Sequence, residues 1–206
     1  AALGLLVALA PLFAVIAAAI KLDSPGGPVF YRQQRVGLDR RRNSGSRGEY
    51  AGGERRQNGG FGQLFGIYKF RTMIPDAEKQ TGPVWATEWD PRITRVGRVL
   101  RKLRFDELPQ LINVIHAEMR LIGPRPERPH FVAQLSAEVP EYLQRHHVPP
   151  GITGLAQVER EYDASVSDVA RKIRYDLYYA RHRSRALDMK ILLKTIDVAL
   201  RGRGAR

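Results

Sequence analysis

The sequence predicts an α+β protein, mostly helical with short strands, that opens with an apolar membrane segment. Three observations carry this. Residues 1–20, AALGLLVALAPLFAVIAAAI, hold no charged side chain. Residues 93–104, 167–183, 186–200 and a stretch beginning at Asp106 have helical patterning, whereas only 29–31 and 67–73 read as strands. Apolar residues make up 43% of the 206, enough to build a core, which excludes wholesale disorder.

The apolar segment comes first. As a straight helix, twenty residues extend about 30 Å, one hydrocarbon thickness. Pro11 stands in its middle, donates no backbone N–H and crowds the preceding turn, so a kink or break is expected there. Two half-helices could enter a bilayer and leave on the same side; length equally allows a straight or mildly kinked span. A signal peptide ending near Ala17-Ala18-Ala19 and a buried core helix are the competing readings. The start at Ala1 rather than Met predicts residues upstream. After Lys21 no run approaches the roughly 18 apolar residues of a second span. The basic body is therefore expected against an anionic cytoplasmic leaflet.

A turn at Ser24-Pro25-Gly26-Gly27 leads into the β-like run Val29-Phe30-Tyr31. Residues 39–61, DRRRNSGSRGEYAGGERRQNGGF, have almost nothing to bury and read as a flexible exposed loop. In IYKFRTM, Lys69 and Arg71 share one strand face, with Tyr68, Phe70 and Thr72 on the other. That basic face suits either a phosphate or plain solvent, and the pattern does not choose. Along 93–104, Ile93, Val96, Leu100 and Leu103 form an apolar stripe beside Arg95, Arg98, Arg101, Lys102 and Arg104. Such a helix suits a membrane surface or nucleic acid. The next helix begins near Asp106, with Leu108, Leu111, Ile112, Ile115 and Met119 as its stripe. Pro109 is acceptable there only in a first turn. It ends at the turn Gly123-Pro124-Arg125-Pro126, and His146-His147-Val148-Pro149-Pro150-Gly151 makes another break.

The chain carries 34 Lys and Arg against 21 Asp and Glu, a net charge of +13, which implies an anionic partner. It has no cysteine, which excludes disulfide scaffolds, Cys-built zinc sites, Fe–S centres and thiol catalysis. The five histidines show no HExxH spacing, the run Gly59–Gly66 fits neither the P-loop nor GxGxxG, and GxSxG is absent. The most informative pair is Asp106-Glu107. Taken alone, carboxylates at a helix start are usually an N-cap. Here Arg101 and Arg104 precede them and Arg125 follows in a Pro-bracketed turn. A carboxylate attacking a phosphoanhydride needs such cations, usually Mg²⁺ with Arg or Lys, to screen the repulsion between anions.

In order along the chain stand DSPGGPVFYRQQRVG, YKFRTM, DPRITRVGRVLRK, FDELPQLINVI, LIGPRPE, PGITGLAQV, YDLYYARH, LDMKILLKTI and GRGAR. This set, behind a Pro-broken apolar segment, resembles the bacterial sugar transferases of the monotopic phosphoglycosyl transferase type. The resemblance implies transfer of a sugar 1-phosphate from a UDP-sugar to undecaprenyl phosphate, with release of UMP, on the cytoplasmic face of the bacterial inner membrane. It implies Asp106 as nucleophile through an aspartyl phosphosugar, Glu107 with Asp106 as the Mg²⁺ site, and Arg101 and Arg125 as phosphate ligands. Lys69 and Arg71, and Asp90 with Arg92, match further family blocks. Arg104, Arg160 and Asp176 are secondary candidates for substrate contact or structure.

The same resemblance implies a re-entrant membrane helix over residues 1–22, broken at Pro11, and a catalytic domain over 23–206. Membrane phospholipids and a homodimer are the further partners expected, and nucleic acid is not. Two features depart from the family pattern. The 39–61 loop is long, and Glu159-Arg160-Glu161 follows PGITGLAQV where many members have Asn-Gly-Arg. The tail, with EYDAS and GRGAR, looks closer to a subgroup linked to exopolysaccharide synthesis. The rival readings are a membrane-anchored nucleic-acid binder, favoured by the charge, and a scaffold without catalysis.

Overall fold

The structure, a computed structural model, describes residues 2–39, 61–79, 90–159 and 166–200. Arg160 and all but the two ends of the 39–61 loop lie outside the described residues. The chain mixes helix with short strands. In order these are α1 (Ala2–Ala8), α2 (Ala10–Asp23), β1 (Phe30–Val36), β2 (Leu64–Phe70), α3 (Arg95–Lys102), a 3-10 helix (Phe105–Gln110) and α4 (Leu111–Ile115). There follow β3 (Arg120–Ile122), α5 (Pro129–Glu138), a second 3-10 helix (Tyr142–His147), β4 (Gly151–Thr153), α6 (Leu155–Glu159), α7 (Val166–His182) and α8 (Arg185–Leu200). β1 pairs with β2. Arg71 N donates to Val29 O and Gly37 N to Gln63 O, so the pair is antiparallel. The chain divides into two units: Ala1–Gln33 with Ile67–His116 and Val198–Arg206, and Gln34–Gly66 with Ala117–Asp197.

In the first unit Pro11 lies in the first turn of α2, and the break falls one to two residues before it. Its absent N–H interrupts the helical ladder, while Phe13 N reaches Leu9 O (2.9 Å) and Leu9 N reaches Leu5 O (3.0 Å). The two helices meet at 58°. Among the described residues no single helix is long and apolar enough to cross a membrane, although the bent pair together is. One face of α2 is inward: Ile16 and Ile20 pack with Phe70 and Leu100, flanked by Leu12, Phe13 and Phe105. Phe70 is the hub, touching Phe13 edge-on at 5.0 Å and Phe30 in a stack at 5.3 Å. Burying each such side chain contributes about 1.5–3 kcal/mol. Leu3, Leu5, Val7, Val15 and Leu22 are exposed.

The expected single helix from Asp106 towards the Gly123 turn is instead a 3-10 helix, the five-residue α4 and a strand. Pro109 has no N–H to sustain an α-helical ladder, and Ala117 at φ 57° turns the chain out. Arg71 lies beyond the end of β2 rather than within a strand.

In the second unit Val36, Val132, Leu135, Val139, Tyr142, Val169, Ile173 and Leu177 make one buried cluster; Leu155, Tyr179 and Ile191 make another. β3 and β4 pair in parallel, Arg120 opposite Gly151 and Ile122 opposite Thr153. A Cβ on Gly151 would overlap the backbone of Gly123, so the two glycines permit this approach.

Candidate active site

The acidic pair is built by the segments on either side of it. Thr94 caps α3, its hydroxyl accepting from Gly97 N at 3.0 Å, and Asp23 at the end of α2 accepts from Val96 N at 2.9 Å. Arg101 and Lys102 lie in the last turn of α3, where cations suit the dipole. Arg104 then adopts a left-handed conformation, φ 59°, which ends the helix and redirects the chain into Phe105–Gln110. Asp106 and Glu107 occupy the first turn of that 3-10 helix, each only 8% exposed. Lys69 of β2 places Nζ 3.3 Å from Glu107 Oε1. Asn113, fully buried on α4, accepts from Tyr68 N at 3.0 Å and holds β2 against the helical segment.

The other candidates of this unit are placed as follows. Arg101 donates from Nε to the Thr72 hydroxyl at 2.9 Å. Arg71 is buried and spends its guanidinium on Ser24, bonding the hydroxyl at 3.2 Å and also the carbonyl. It fastens the turn after α2. Asp90 and Arg92 form a two-pronged pair, Nε–Oδ1 2.8 Å and Nη2–Oδ2 2.6 Å. The hydrogen bonds from Arg92 hold the Asp90 carboxyl below its usual range. Arg92 N also donates to Asp90 Oδ1, closing the turn before α3.

Arg125 and Asp176 belong to the second unit, within a buried ionic network. Arg145 donates to Asp176 (Nη2–Oδ2 2.8 Å), to the Tyr142 hydroxyl (3.1 Å) and to the Arg125 carbonyl (2.7 Å). Burial pushes the Asp176 carboxyl up against the pull of Arg145. Arg145 stays protonated, Asp176 holding its pKa up against the effect of burial. Glu127 meets Lys172 at 3.2 Å and Arg35 at 3.4 Å. Burial alone would raise its pKa, but Lys172, Arg35, Arg145 and Arg125 together hold it at about 2. Arg125, Arg145 and His146 line a small cavity with Pro124 and Gly37. Sequence reasoning missed Arg145, Glu127, Lys172 and Arg35, whose partners lie far away along the chain. It also missed Thr72, although Thr72 stands within the YKFRTM block.

With the acidic pair and its cations in view, the chain belongs to the family described as bacterial sugar transferase, matched over residues 1–44 and 49–202. Among similar proteins is the UDP-N-acetylgalactosamine-undecaprenyl-phosphate N-acetylgalactosaminephosphotransferase of Aeromonas hydrophila, 45% identical over 95% of this chain and 41% of the relative. The undecaprenyl-phosphate glucose phosphotransferase of Komagataeibacter xylinus is 41% identical over 98% of this chain and 34% of its own. The exopolysaccharide production protein PSS of Rhizobium leguminosarum bv. phaseoli is 38% identical over 98% of this chain and 92% of its own. The chain thus spans well under half the length of the first two relatives.

Proposed function

We propose that this chain transfers a sugar 1-phosphate from a UDP-sugar to undecaprenyl phosphate and releases UMP, with Asp106 as the covalent nucleophile. The observation that carries this reading is the adjacent buried carboxylates Asp106 and Glu107, with Lys69 3.3 Å from Glu107. The names of the relatives supply the donor and acceptor classes. An Asp106 carboxylate oxygen attacks the sugar-bearing phosphorus of the donor. The bond from that phosphorus to the bridging oxygen breaks, and UMP departs with the oxygen. A phosphate oxygen of undecaprenyl phosphate then attacks the same phosphorus, and the bond to Asp106 breaks to restore the carboxylate. Lys69 and Arg101 offset the approach of anion to anion and take up charge as UMP leaves. Arg125 is proposed as a further phosphate ligand on its GPRP motif.

Mg²⁺ is part of the proposal. It is usually held by one or two carboxylates plus substrate phosphate oxygens rather than by an all-protein cage. Two adjacent carboxylates fit that donor set, and no cluster of three or more His, Cys, Asp or Glu suited to a metal stands among the described residues. Asp106 and Glu107 would hold the ion, which supplies positive charge beside the diphosphate. The bent pair α1–α2 is proposed as a re-entrant dip into the cytoplasmic leaflet of a bacterial inner membrane. Its 58° bend and the exposed Leu3, Val7 and Val15 support that. The product is proposed to begin an exopolysaccharide or related glycan, in keeping with the name of the Rhizobium relative.

The test is incubation of the purified protein with a panel of UDP-sugars, Mg²⁺ and undecaprenyl phosphate, reading UMP. D106N is expected to lower the rate by at least about a thousand-fold, as loss of a nucleophile does. Mass spectrometry of the wild type with donor alone is expected to find one phosphosugar on the protein. Undiminished UMP release by D106N would sink the nucleophile.

A further inference from the structure

We infer that Thr72 is the positioning residue for Arg101, setting the direction in which its guanidinium meets a phosphate. This rests on the reading of Arg101 as a phosphate ligand. Three contacts converge on the buried Thr72. Its hydroxyl accepts from Arg101 Nε at 2.9 Å. Its carbonyl accepts from Thr94 N at 3.0 Å, at the cap of α3. Its backbone lies so close to α3 that a Cβ on Gly97 would overlap the Thr72 carbonyl. Just after it, the Met73–Ile93 bridge and the bond from Ile74 N to Arg92 O (2.9 Å) tie the same segment to the approach to α3.

The chemistry follows from the shape of arginine. A guanidinium is planar, so fixing Nε fixes where its two terminal nitrogens point. A long side chain is otherwise costly to order, and an anchor at Nε removes that cost before substrate arrives. Lys69, three residues upstream of Thr72, reaches Glu107. One short segment therefore holds both an arginine of α3 and a carboxylate of the acidic pair. The hydroxyl is the only acceptor on the Thr72 side chain, and Arg101 Nε bonds to it while the carbonyl serves Thr94 N, which sets apart its side chain from the packing role of its backbone.

The test compares T72V, which keeps shape and branching but has no acceptor, with T72S, which keeps the acceptor. Each is made in the wild-type and R101K backgrounds. Two readouts are taken: steady-state UMP release, and the Arg101 Nε–H signal in the ¹⁵N spectrum with its solvent exchange. T72V is expected to lose the protected Nε–H signal and about ten- to a hundred-fold in kcat/KM, the range for a hydrogen bond to a charged group. T72S is expected to retain both within about three-fold. In R101K, where no Nε–H remains, T72V is expected to cost less than about two-fold further. The inference is overturned if T72V matches wild type in rate, or if it costs as much in R101K as in wild type. Absence of UMP release by wild type, with the Nε–H signal protected and lost in T72V, would instead overturn the catalytic reading and leave the Thr72–Arg101 link standing.

Discussion

Removing the carboxylate of Asp176 should destabilise the second unit by about 3–5 kcal/mol, the cost of stranding one partner of a buried ion pair. Arg145 and Asp176 are 2% and 1% exposed. Arg145 makes two contacts with Asp176, at 3.0 and 2.8 Å, so in Asp176→Ala its guanidinium keeps only the Tyr142 hydroxyl and the Arg125 carbonyl, both uncharged. A buried charge left with only neutral hydrogen-bond acceptors, Glu127 acting on it without a hydrogen bond, is what makes the loss exceed that of an ordinary hydrogen bond, about 1 kcal/mol. For a unit of about 100 residues each kcal/mol is worth about 4–8 °C of melting temperature. Urea unfolding of the purified protein, followed by tryptophan-independent far-UV circular dichroism, measures the effect. Replacing both partners, Arg145→Met with Asp176→Leu, should recover most of the loss because no charge is then left buried. A loss below about 1 kcal/mol in Asp176→Ala would refute the argument, since the pair would then not need its carboxylate.

Gly97→Ala adds a Cβ that meets the Thr72 carbonyl, so α3 must shift. A stability loss of about 1–3 kcal/mol is expected, as for overpacking, together with a fall in UMP release, measured by thermal unfolding and the product assay. Acid should destabilise the fold in two stages. Burial, reinforced by Arg145 against the opposing pull of Asp39 and Glu127, lowers His146 from 6.5 to about 3, so it is neutral in the fold. Below pH 6.5 the unfolded chain takes up a proton that the folded chain refuses. Stability then falls by on the order of 1 kcal/mol per pH unit from about pH 6 towards 3. Glu127, held at about 2 against 4.5, adds a loss in the same direction below pH 4.5. Urea midpoints that stay flat between pH 6.5 and 4.5, or a slope unchanged in His146→Asn, would contradict this.

The long helices were legible because their signals are local. α3 lies where Ile93, Val96, Leu100 and Leu103 predicted a stripe, and Thr94 is its cap. α7 and α8 fall within a residue of the expected 167–183 and 186–200. The β3–β4 pair was not legible. Each strand has three residues, too few for a period to show, and their pairing joins residues about thirty apart. The broken helix after Asp106 was misread because a stripe of apolar residues outweighed Pro109 and could not reveal the left-handed Ala117. At the site, the acidic pair and its neighbouring arginines were visible as a cluster in sequence. The commitments of individual cations were not, because each depends on a partner elsewhere. Arg71, grouped with Lys69 on one strand face, turns to Ser24 while Lys69 turns to Glu107.

The bond from Val96 N to Asp23 joins the last residue of the apolar helix pair to the first turn of the helix that carries Arg101. With Arg71 pinning the next residue, Ser24, this makes a stiff elbow rather than a tether. A tilt imposed on the apolar arm is therefore felt as torque on α3. On the proposed membrane reading, a change in the depth of that arm reaches Arg101 through these two bonds, so bilayer thickness is expected to change turnover.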